Sequence, residues 1–404
     1  MGFTSYEESL RMVESLKIEP VGVRKLPLVE ALGYVLAEDI VAYENSPRYP
    51  TSAMDGYAIL GEDQSKGSLK IVEINPAGSD TDGLEVLPGT AIKTFTGALM
   101  PKGADTLIPI ENVTVDGSTI KIEEPVPTGF AVRPIGENFK RGEVLIPKGS
   151  TIDFAEIGVM ASLNIVYAPV YQRPKVAILA TGSEVLELGE CSDNPARIRS
   201  SNNYTLEALV IKHGGEPIQL GSVHDERSAI VDALKSALKS ADIVVTTGGV
   251  SVGDYDFVKD VVRDELGCEV VFKGVRIKPG QHIMLAKRGE KFIVALPGFA
   301  YSSTVTFLLY VLPILYRMKG SSYRVPVVSA TLKEGFRKRA KGKTEFAVCN
   351  LRIEDGEYFC DFEGIRGGSS AIMTNLLGNT GLLWLDESEG DKEAGERVRV
   401  VRLD

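Results

Sequence analysis

The sequence contains few of the residues from which redox centres and most transition-metal sites are built. It has four cysteines, three histidines and one tryptophan in 404 residues. The cysteines are scattered, at positions 191, 268, 349 and 360, and form no CxxC pair or zinc-like group. We therefore expect idle thiols in a reducing cytoplasm. The small number of histidines excludes a histidine-rich metal centre.

Long apolar runs, basic tracts and internal repeats are also absent. No stretch is long and apolar enough to span a bilayer. The net charge of −10 is offset by no basic tract, which argues against binding to nucleic acid or to a membrane surface. Residues 1–16 have the pattern of an amphipathic helix and not that of a secretion signal. The expectation is a cytoplasmic protein.

The chain is too long for one ordinary hydrophobic core, and its composition, 44% hydrophobic and 25% charged, is that of a globular protein. The element pattern predicts an α/β multidomain fold built around a doubly wound, mostly parallel sheet. Four domains are expected. They are a helical and extended N-terminal domain (1–44 and 134–168), an inserted small β domain (45–133), an α/β domain (169–324) and a C-terminal β-barrel-like domain (325–404).

Within these domains, hydrophobic periodicity and turn residues predict the individual elements. In the first domain we expect helices at 5–16, 28–36 and 153–163, a hairpin at 139–152 and a linker at 169–174. In the inserted domain we expect strands at 69–74, 106–110 and 118–122, with a hairpin turn at Asp116-Gly117. In the α/β domain we expect strands at 176–180, 217–223 and 242–245, an antiparallel hairpin over 282–295 and a long helix at 303–318.

Residues 241–256, ADIVVTTGGVSVGDYD, carry the strongest local signal. A buried parallel strand runs into Gly248-Gly249 and then, after Gly253, into the start of a helix. Such a turn leaves backbone N–H groups facing one point, where a phosphate or another oxyanion can bind. Carboxylates at the same point, Asp254 and Asp256, imply a divalent cation between them and an anion. A tight strand-to-helix turn without a ligand is the alternative interpretation.

The same stretch contains Gly249-Val-Ser251-Val-Gly253, which fits the GxSxG elbow of serine hydrolases. That hypothesis needs Ser251 as nucleophile and His282 as base. The carboxylates that follow the elbow stand where a hydrolase has helix, and no oxyanion-loop motif precedes it. The hydrolase is therefore the less favoured alternative.

Four loops leave the predicted carboxyl ends of sheet strands, where ligands of open α/β sheets bind. They are residues 181–184, 224–225, 247–256 and 296–298. A single acid such as Glu184 or Asp225 would be explained as a helix cap. Acids on three loops, together with glycine turns, exceed what capping requires. With Lys278 nearby, the set predicts a phosphate-bearing ligand held by backbone amides, Lys278 and carboxylate-bound Mg²⁺.

Five motifs together resemble the MoeA-type molybdopterin molybdenumtransferases, the family that includes the gephyrin E domain. They are SAMDGYA (52–58), FTGALMPKGADTLI (95–108), ATGSEV (180–185), TTGGVSVGDYD (246–256) and LPG (296–298). Taken alone, Asp55-Gly56 would be an ordinary turn before a strand. The resemblance covers nearly the whole chain, in order.

The resemblance implies insertion of molybdate into adenylylated molybdopterin, with Mg²⁺-dependent cleavage of the adenylate and release of AMP. Tungstate, which has the same shape and charge as molybdate, is the alternative oxyanion if the oxyanion pocket is altered. The resemblance also implies a homodimer, and a pterin-adenylylating protein is a candidate partner. Motif by motif, it carries over Asp55, Glu184, Asp225, Asp256 and Lys278 as catalytic, with Glu184, Asp225 and Asp256 as the metal ligands, and Thr96 and Ser369 as substrate-binding. The glycine loops add further substrate-binding candidates: Thr181, Gly182, Ser183, Gly248, Gly249, Ser251, Asp254, Pro297 and Gly298.

The sequence departs from the family pattern at several polar positions. Asn138 replaces an aspartate, Gly274 and Gln281 replace lysines, and Val348 stands near the place of an arginine. Several cations that would face an oxyanion are therefore missing. One hypothesis is an active enzyme with an altered oxyanion pocket; the other is a paralogue that binds the pterin or a partner without efficient metal insertion. The retained carboxylates favour the first.

Overall fold

The computed structural model describes residues 3–249, 257–367 and 369–403. The chain divides into two compact units. The first consists of Met1–Ala37, Gly149–Phe154 and Tyr167–Asp404, and the second of Glu38–Lys148 and Ala155–Val166.

A six-stranded sheet forms the centre of the first unit. In spatial order its strands are Glu216–Val223, Lys175–Thr181, Ile243–Thr247, Lys291–Leu296, Met284–Arg288 and Glu269–Lys273. The first three pairings are parallel and the last two antiparallel. The predicted doubly wound α/β fold is confirmed, and so is the antiparallel hairpin at its edge.

The central strands are buried on both faces because their side chains are apolar without alternation. In Lys175–Thr181, Val176 and Ile178 point into one core, while Ala177 and Leu179 point into the other. Ile243–Thr247 is buried throughout. Since the strands are parallel, their carboxyl ends meet at one edge of the sheet.

Helices cover both faces of this sheet. The described helices of the first unit are Tyr6–Ser15, Ser201–Lys212, Arg227–Ser240, Val258–Asp260, Ala300–Thr306 and Leu312–Met318, whereas Phe154–Ser162 lies almost wholly in the second unit. π-helical segments, Val261–Glu265 and Phe307–Val311, continue two of them. The long helix predicted at 303–318 thus begins three residues earlier and contains a π-helical segment. No helix in the described ranges has both the length and the apolarity needed to cross a membrane.

The C-terminal strands close into a five-stranded barrel. The strands are Val327–Leu332, Thr344–Glu354, Glu357–Asp361, Thr380–Leu385 and Arg397–Arg402. Pairing of the second with the fourth closes the ring, so that none of these strands is left as an edge. The short strand Ile277–Lys278 pairs with Thr344–Glu354 and brings Lys278 opposite Glu345. Asp355-Gly356, a sequence typical of hairpin turns, joins Thr344–Glu354 to Glu357–Asp361 with both residues at positive φ.

The second unit is built on another six-stranded sheet. Its strands, in spatial order, are Thr106–Pro109, Gly56–Ile59, Thr90–Thr94, Ser68–Asn75, Thr119–Ile122 and Val113–Asp116. Tyr57, Leu69 and Ile108 belong to its core. Two-stranded ladders pair Ile40–Val41 with Val144–Ile146 and Thr51–Ser52 with Val132–Arg133.

Local sequence patterns were misleading at several places. The predicted helix 28–36 is only a 3₁₀ turn, Leu28–Ala31, because Val23–Pro27 before it is a strand. That strand pairs with Tyr167–Tyr171, which occupies much of the expected linker at 169–174. The expected hairpin 139–152 pairs instead with Ile40–Val41. In each case a partner distant in sequence decided the structure.

We expect Leu179→Ala to cost about 2–5 kcal/mol of stability, because it leaves a void between the central sheet and the helix Arg227–Ser240. Urea denaturation followed by circular dichroism would show an earlier transition midpoint. Leu188→Ala is the matched control, since Leu188 is 76% exposed and Leu179 is 0% exposed. Equal midpoints for the two variants would contradict the packing described above.

Candidate functional site

Thr181 and the double glycine at 248–249 are in direct contact at the carboxyl edge of the central sheet. Gly248 has φ +88°, and a Cβ there would lie 2.6 Å from the Thr181 carbonyl oxygen. Gly249 has φ +63°, and its Cβ would lie 3.0 Å from Thr181 Oγ1. Only glycine permits this approach. The structure therefore brings together three of the predicted substrate-binding residues.

Two of the predicted metal ligands lie against the turn that follows Thr181. Asp225 Oδ2 accepts a hydrogen bond from the Ser183 N–H at 3.3 Å, and the Asp225 N–H donates to Ser183 Oγ at 3.4 Å. The Glu184 carboxylate folds over Gly182, where a Cβ would lie 2.7 Å from Glu184 Oε2. Gly182 has φ +146°, a conformation that favours glycine. Glu184 and Asp225 thus converge on one turn.

The loop Pro297-Gly298 completes this edge. The Gly248 N–H donates to the Leu296 carbonyl at 3.2 Å, and a Cβ at Gly298 would lie 3.7 Å from Gly248 Cα. The Asn202 side chain donates to the Gly298 carbonyl at 2.7 Å. Asn202 belongs to the first turn of the helix Ser201–Lys212, whose cap position is Ser200, with no side-chain cap hydrogen bond.

The remaining predictions for this edge, Ser251, Asp254 and Asp256, lie outside the described residues. Among the residues that are described, no three His, Cys, Asp or Glu side chains lie close enough together to hold a metal ion. The proposed metal set includes Asp256, so the three-carboxylate site stays a prediction. Glu184 and Asp225 have been placed, and they share the turn 182–184.

In the second unit, Asp55 and Thr96 form a hydrogen-bonded pair. Asp55 Oδ1 accepts from the Thr96 hydroxyl at 2.6 Å and from the Thr96 N–H at 2.8 Å. These bonds, the hydroxyl first and the N–H second, lower the pKa of Asp55 below its ordinary range. The adjacent Gly56 belongs to a strand so close to its neighbour that a Cβ would lie 2.2 Å from the Ile108 carbonyl oxygen. Asp55 and Thr96 were both predicted as site residues from the resemblance.

Lys278 and Ser369 line a separate cavity of about 370 Å³ in the first unit. Tyr301 holds one wall in place, because its hydroxyl donates to the Phe346 carbonyl at 2.7 Å and its N–H donates to the Ser370 carbonyl at 3.2 Å. Ser369 Oγ accepts from the Ala371 N–H at 3.1 Å. We call this space the basic cavity, because Lys278 and three arginines, at positions 337, 339 and 366, line it.

The four positions that depart from the family pattern differ in their surroundings. A Cβ at Gly274, which has φ +83°, would lie 2.4 Å from the Phe3 ring, so a lysine there would displace that ring. Gln281 Oε1 accepts a hydrogen bond from the Lys343 ammonium. Val348 lines the basic cavity as an apolar residue. Asn138 is exposed, and its backbone N–H donates to the Ser46 carbonyl at 2.8 Å.

Comparison with known proteins shows the family of the chain. Residues 4–164 match the "MoeA N-terminal region (domain I and II)", and residues 177–317 match a "Probable molybdopterin binding domain". A molybdopterin molybdenumtransferase from Nostoc sp. is 32% identical over 92% of this chain and 87% of its own length. One from Haemophilus influenzae is 32% identical over 96% of each chain. The chain belongs to the MoeA family of molybdopterin molybdenumtransferases.

A solved MoeA structure extends the likeness to three dimensions. The molybdopterin biosynthesis MoeA protein from Pyrococcus horikoshii superposes with a TM-score of 0.84 at 31% identity, covering 99% of this chain and 100% of that one. This member of the MoeA family is therefore an enzyme of molybdenum cofactor biosynthesis, and the α/β multidomain fold expected from the element pattern is confirmed.

Sequence reasoning missed three residues that shape this MoeA-family site. Arg197 donates to the Ser183 carbonyl, Asn202 donates to the Gly298 carbonyl, and Glu345 accepts from two backbone N–H groups. Each of these side chains contacts the backbone of another loop, and no motif spacing marks such contacts.

Thr96→Val should raise the pKa of the Asp55 carboxyl, because it removes the hydroxyl hydrogen bond that lowers this pKa most. A carboxyl group whose pKa is lower in the folded state than in the unfolded state stabilises the fold at pH values above its unfolded pKa, about 3.9. This stabilisation disappears as the pH falls through the folded-state pKa. The variant should therefore lose stability at neutral pH but not in acid below both pKa values. A carboxyl-carbon NMR titration measures the shift. Thr96→Ser keeps the hydroxyl and serves as the control; an unchanged pKa in Thr96→Val would contradict the pairing.

Proposed function

We propose that this enzyme inserts molybdate or tungstate into adenylylated molybdopterin and cleaves the adenylate, releasing AMP. The observation that carries the proposal is the convergence of Glu184 and Asp225 on the turn 182–184, beside the glycines at 248–249. Backbone amides at such a turn suit a phosphate group, and the carboxylates suit the cation that a phosphate ester requires.

The donor chemistry at this turn fits Mg²⁺, which prefers hard oxygen ligands and binds through one or two carboxylates plus substrate phosphates. Glu184, Asp225 and Asp256 would hold it. When bound, Mg²⁺ would neutralise charge on the phosphate oxygens of the adenylate. The chain's own contribution is orientation. Ser183 fixes Asp225 through two hydrogen bonds, and Arg197 holds the Ser183 carbonyl.

Lys278 and Ser369 are proposed to face the metal oxyanion, and their place in one cavity supports this assignment. Asp55 is proposed as a catalytic carboxylate positioned by Thr96. Because its pKa is lowered, Asp55 is ionised at neutral pH and would act as an acceptor and not as a proton donor. We further propose a cytoplasmic homodimer whose second subunit closes the cleft, supplied with substrate by a pterin-adenylylating protein.

Purified protein mixed with adenylylated molybdopterin, MgCl₂ and either molybdate or tungstate should release AMP, and chelation of Mg²⁺ should abolish the release. Chromatographic quantification of AMP measures both. The oxyanion that gives the faster release is the preferred one. Release of AMP that is unaffected by chelation would contradict the Mg²⁺ assignment.

Asp225→Asn should lower the rate of AMP release by roughly 10- to 100-fold, because losing a group that orients or binds a metal typically has such an effect. Glu184→Gln should act in the same direction. Asp232→Asn is the matched control, since Asp232 is exposed on the helix Arg227–Ser240. Equal rates for Asp225→Asn and Asp232→Asn would overturn the role of this turn.

Two alternative functions predict other outcomes. Tight binding of adenylylated molybdopterin without AMP release under either oxyanion would favour the binding paralogue. Hydrolysis of an ester substrate that a serine-directed inhibitor stops would favour the GxSxG hydrolase with Ser251 as nucleophile. Family membership favours the transferase over both.

A further inference from the structure

The basic cavity concentrates positive charge in a chain that is acidic as a whole. Its described lining carries four cationic side chains, from Lys278, Arg337, Arg339 and Arg366, and two acidic ones, from Glu334 and Glu345. The whole chain has a net charge of −10. A local excess of cations against that background favours an anionic ligand.

The two acids in the lining accept hydrogen bonds from backbone N–H groups, and the four cations outnumber them. Glu345 is 4% exposed, and its Oε2 accepts from the N–H groups of Arg339 and Ala340 at 2.8 and 2.9 Å. Glu334 Oε1 accepts from the Phe362 N–H at 2.8 Å. Within the part of the chain that the structure describes, none of the four cations forms an ion pair. The guanidinium groups are therefore available to a ligand.

Buried polar side chains hold the backbone of two of these arginines. Glu345 binds the N–H of Arg339, as described above. Asn375, which is 8% exposed, accepts from the Arg366 N–H at 3.1 Å and donates to the Arg366 carbonyl at 2.8 Å. Lys338, which lies between Arg337 and Arg339 in the chain, is buried, and its ammonium group donates to three backbone carbonyls within residues 386–389. Arg339 and Arg366 thus extend from positioned backbone and not from loose loops.

The Arg339 guanidinium rests on the backbone of the neighbouring loop. A Cβ at Gly367 would lie 2.9, 3.2 and 3.5 Å from its Nη2, Nη1 and Cζ atoms. This contact brings Arg339 next to the residue that follows Arg366. Two guanidinium groups therefore approach the cavity from adjacent loops.

We propose that Arg339 and Arg366 bind the tetrahedral oxyanion in this cavity together with Lys278. They would supply the positive charge that Val348, an apolar residue in the same lining, does not. Planar guanidinium groups match the paired oxygens of a tetrahedral dianion, and they remain charged at every physiological pH. The identity of the ligand rests on the proposed function, whereas the binding site itself rests on the cavity.

Equilibrium dialysis of the intact protein against molybdate or tungstate, without pterin, tests the proposal. We expect Arg339→Gln and Arg366→Gln each to weaken binding about 10- to 100-fold, the effect of losing a charge-assisted hydrogen bond. Arg324→Gln makes the same change of charge at an exposed arginine outside the cavity and should bind like the wild type. Circular dichroism verifies that each variant is folded.

Gly367→Ala provides an independent test, because it displaces the Arg339 guanidinium without removing its charge. Gly367 does not have a left-handed φ, so alanine is compatible with the backbone. Binding should weaken when Arg339 is present and should not change further in an Arg339→Gln background. An equal loss in both backgrounds would contradict the positioning of Arg339 by this contact.

Competition distinguishes the two sources of an oxyanion. If molybdate or tungstate saturates the wild type and inorganic phosphate competes poorly, the assignment stands. If only phosphate binds, the cavity holds a phosphate group of the substrate and the proposal is wrong. It is also wrong if folded Arg339→Gln and Arg366→Gln bind like Arg324→Gln. Since no pterin is present, these results are separate from any failure to release AMP.

Discussion

Parallel pairing of Lys175–Thr181 with Ile243–Thr247, and of Ile243–Thr247 with Lys291–Leu296, is the constraint on which the site depends. The pairing buries both faces of the strands, so the polar residues must lie at the strand ends. It also aligns those ends, which places the glycines at 248–249 between Thr181 on one side and Gly298 on the other. A shift of register would separate these turns.

The second physical problem is charge. An acidic protein that handles anions has to create a positive potential locally, and this chain does so in the barrel and not at the sheet edge. The edge carries carboxylates suited to a cation, and the basic cavity carries guanidinium and ammonium groups suited to an oxyanion. The helix that begins at Ala300, directly after Pro297-Gly298, contributes Tyr301 to the cavity wall and so connects the two regions.

Sequence patterns were informative where a feature is local. The apolar strand 242–245, the double glycine after it and the turn at Asp355-Gly356 each follow from a few adjacent residues, and the α/β architecture follows from their succession. They failed where the partner is distant: the expected helix at 28–36 is only the turn Leu28–Ala31, because the residues before it form a strand paired with Tyr167–Tyr171. The arginines of the basic cavity were missed for another reason. No basic tract was expected, although residues 333–343 contain six lysines and arginines, and only the structure shows that Glu345 and Asn375 hold the backbone of Arg339 and Arg366 at the cavity.

The central claim, that the oxyanion binds in the basic cavity, is tested most directly by anomalous diffraction from crystals grown with tungstate, recorded at a tungsten absorption edge. The account predicts the strongest anomalous peak inside the cavity, within hydrogen-bonding distance of Lys278, Arg339 and Arg366. A strongest peak beside Asp225 at the sheet edge, with none in the cavity, would contradict it.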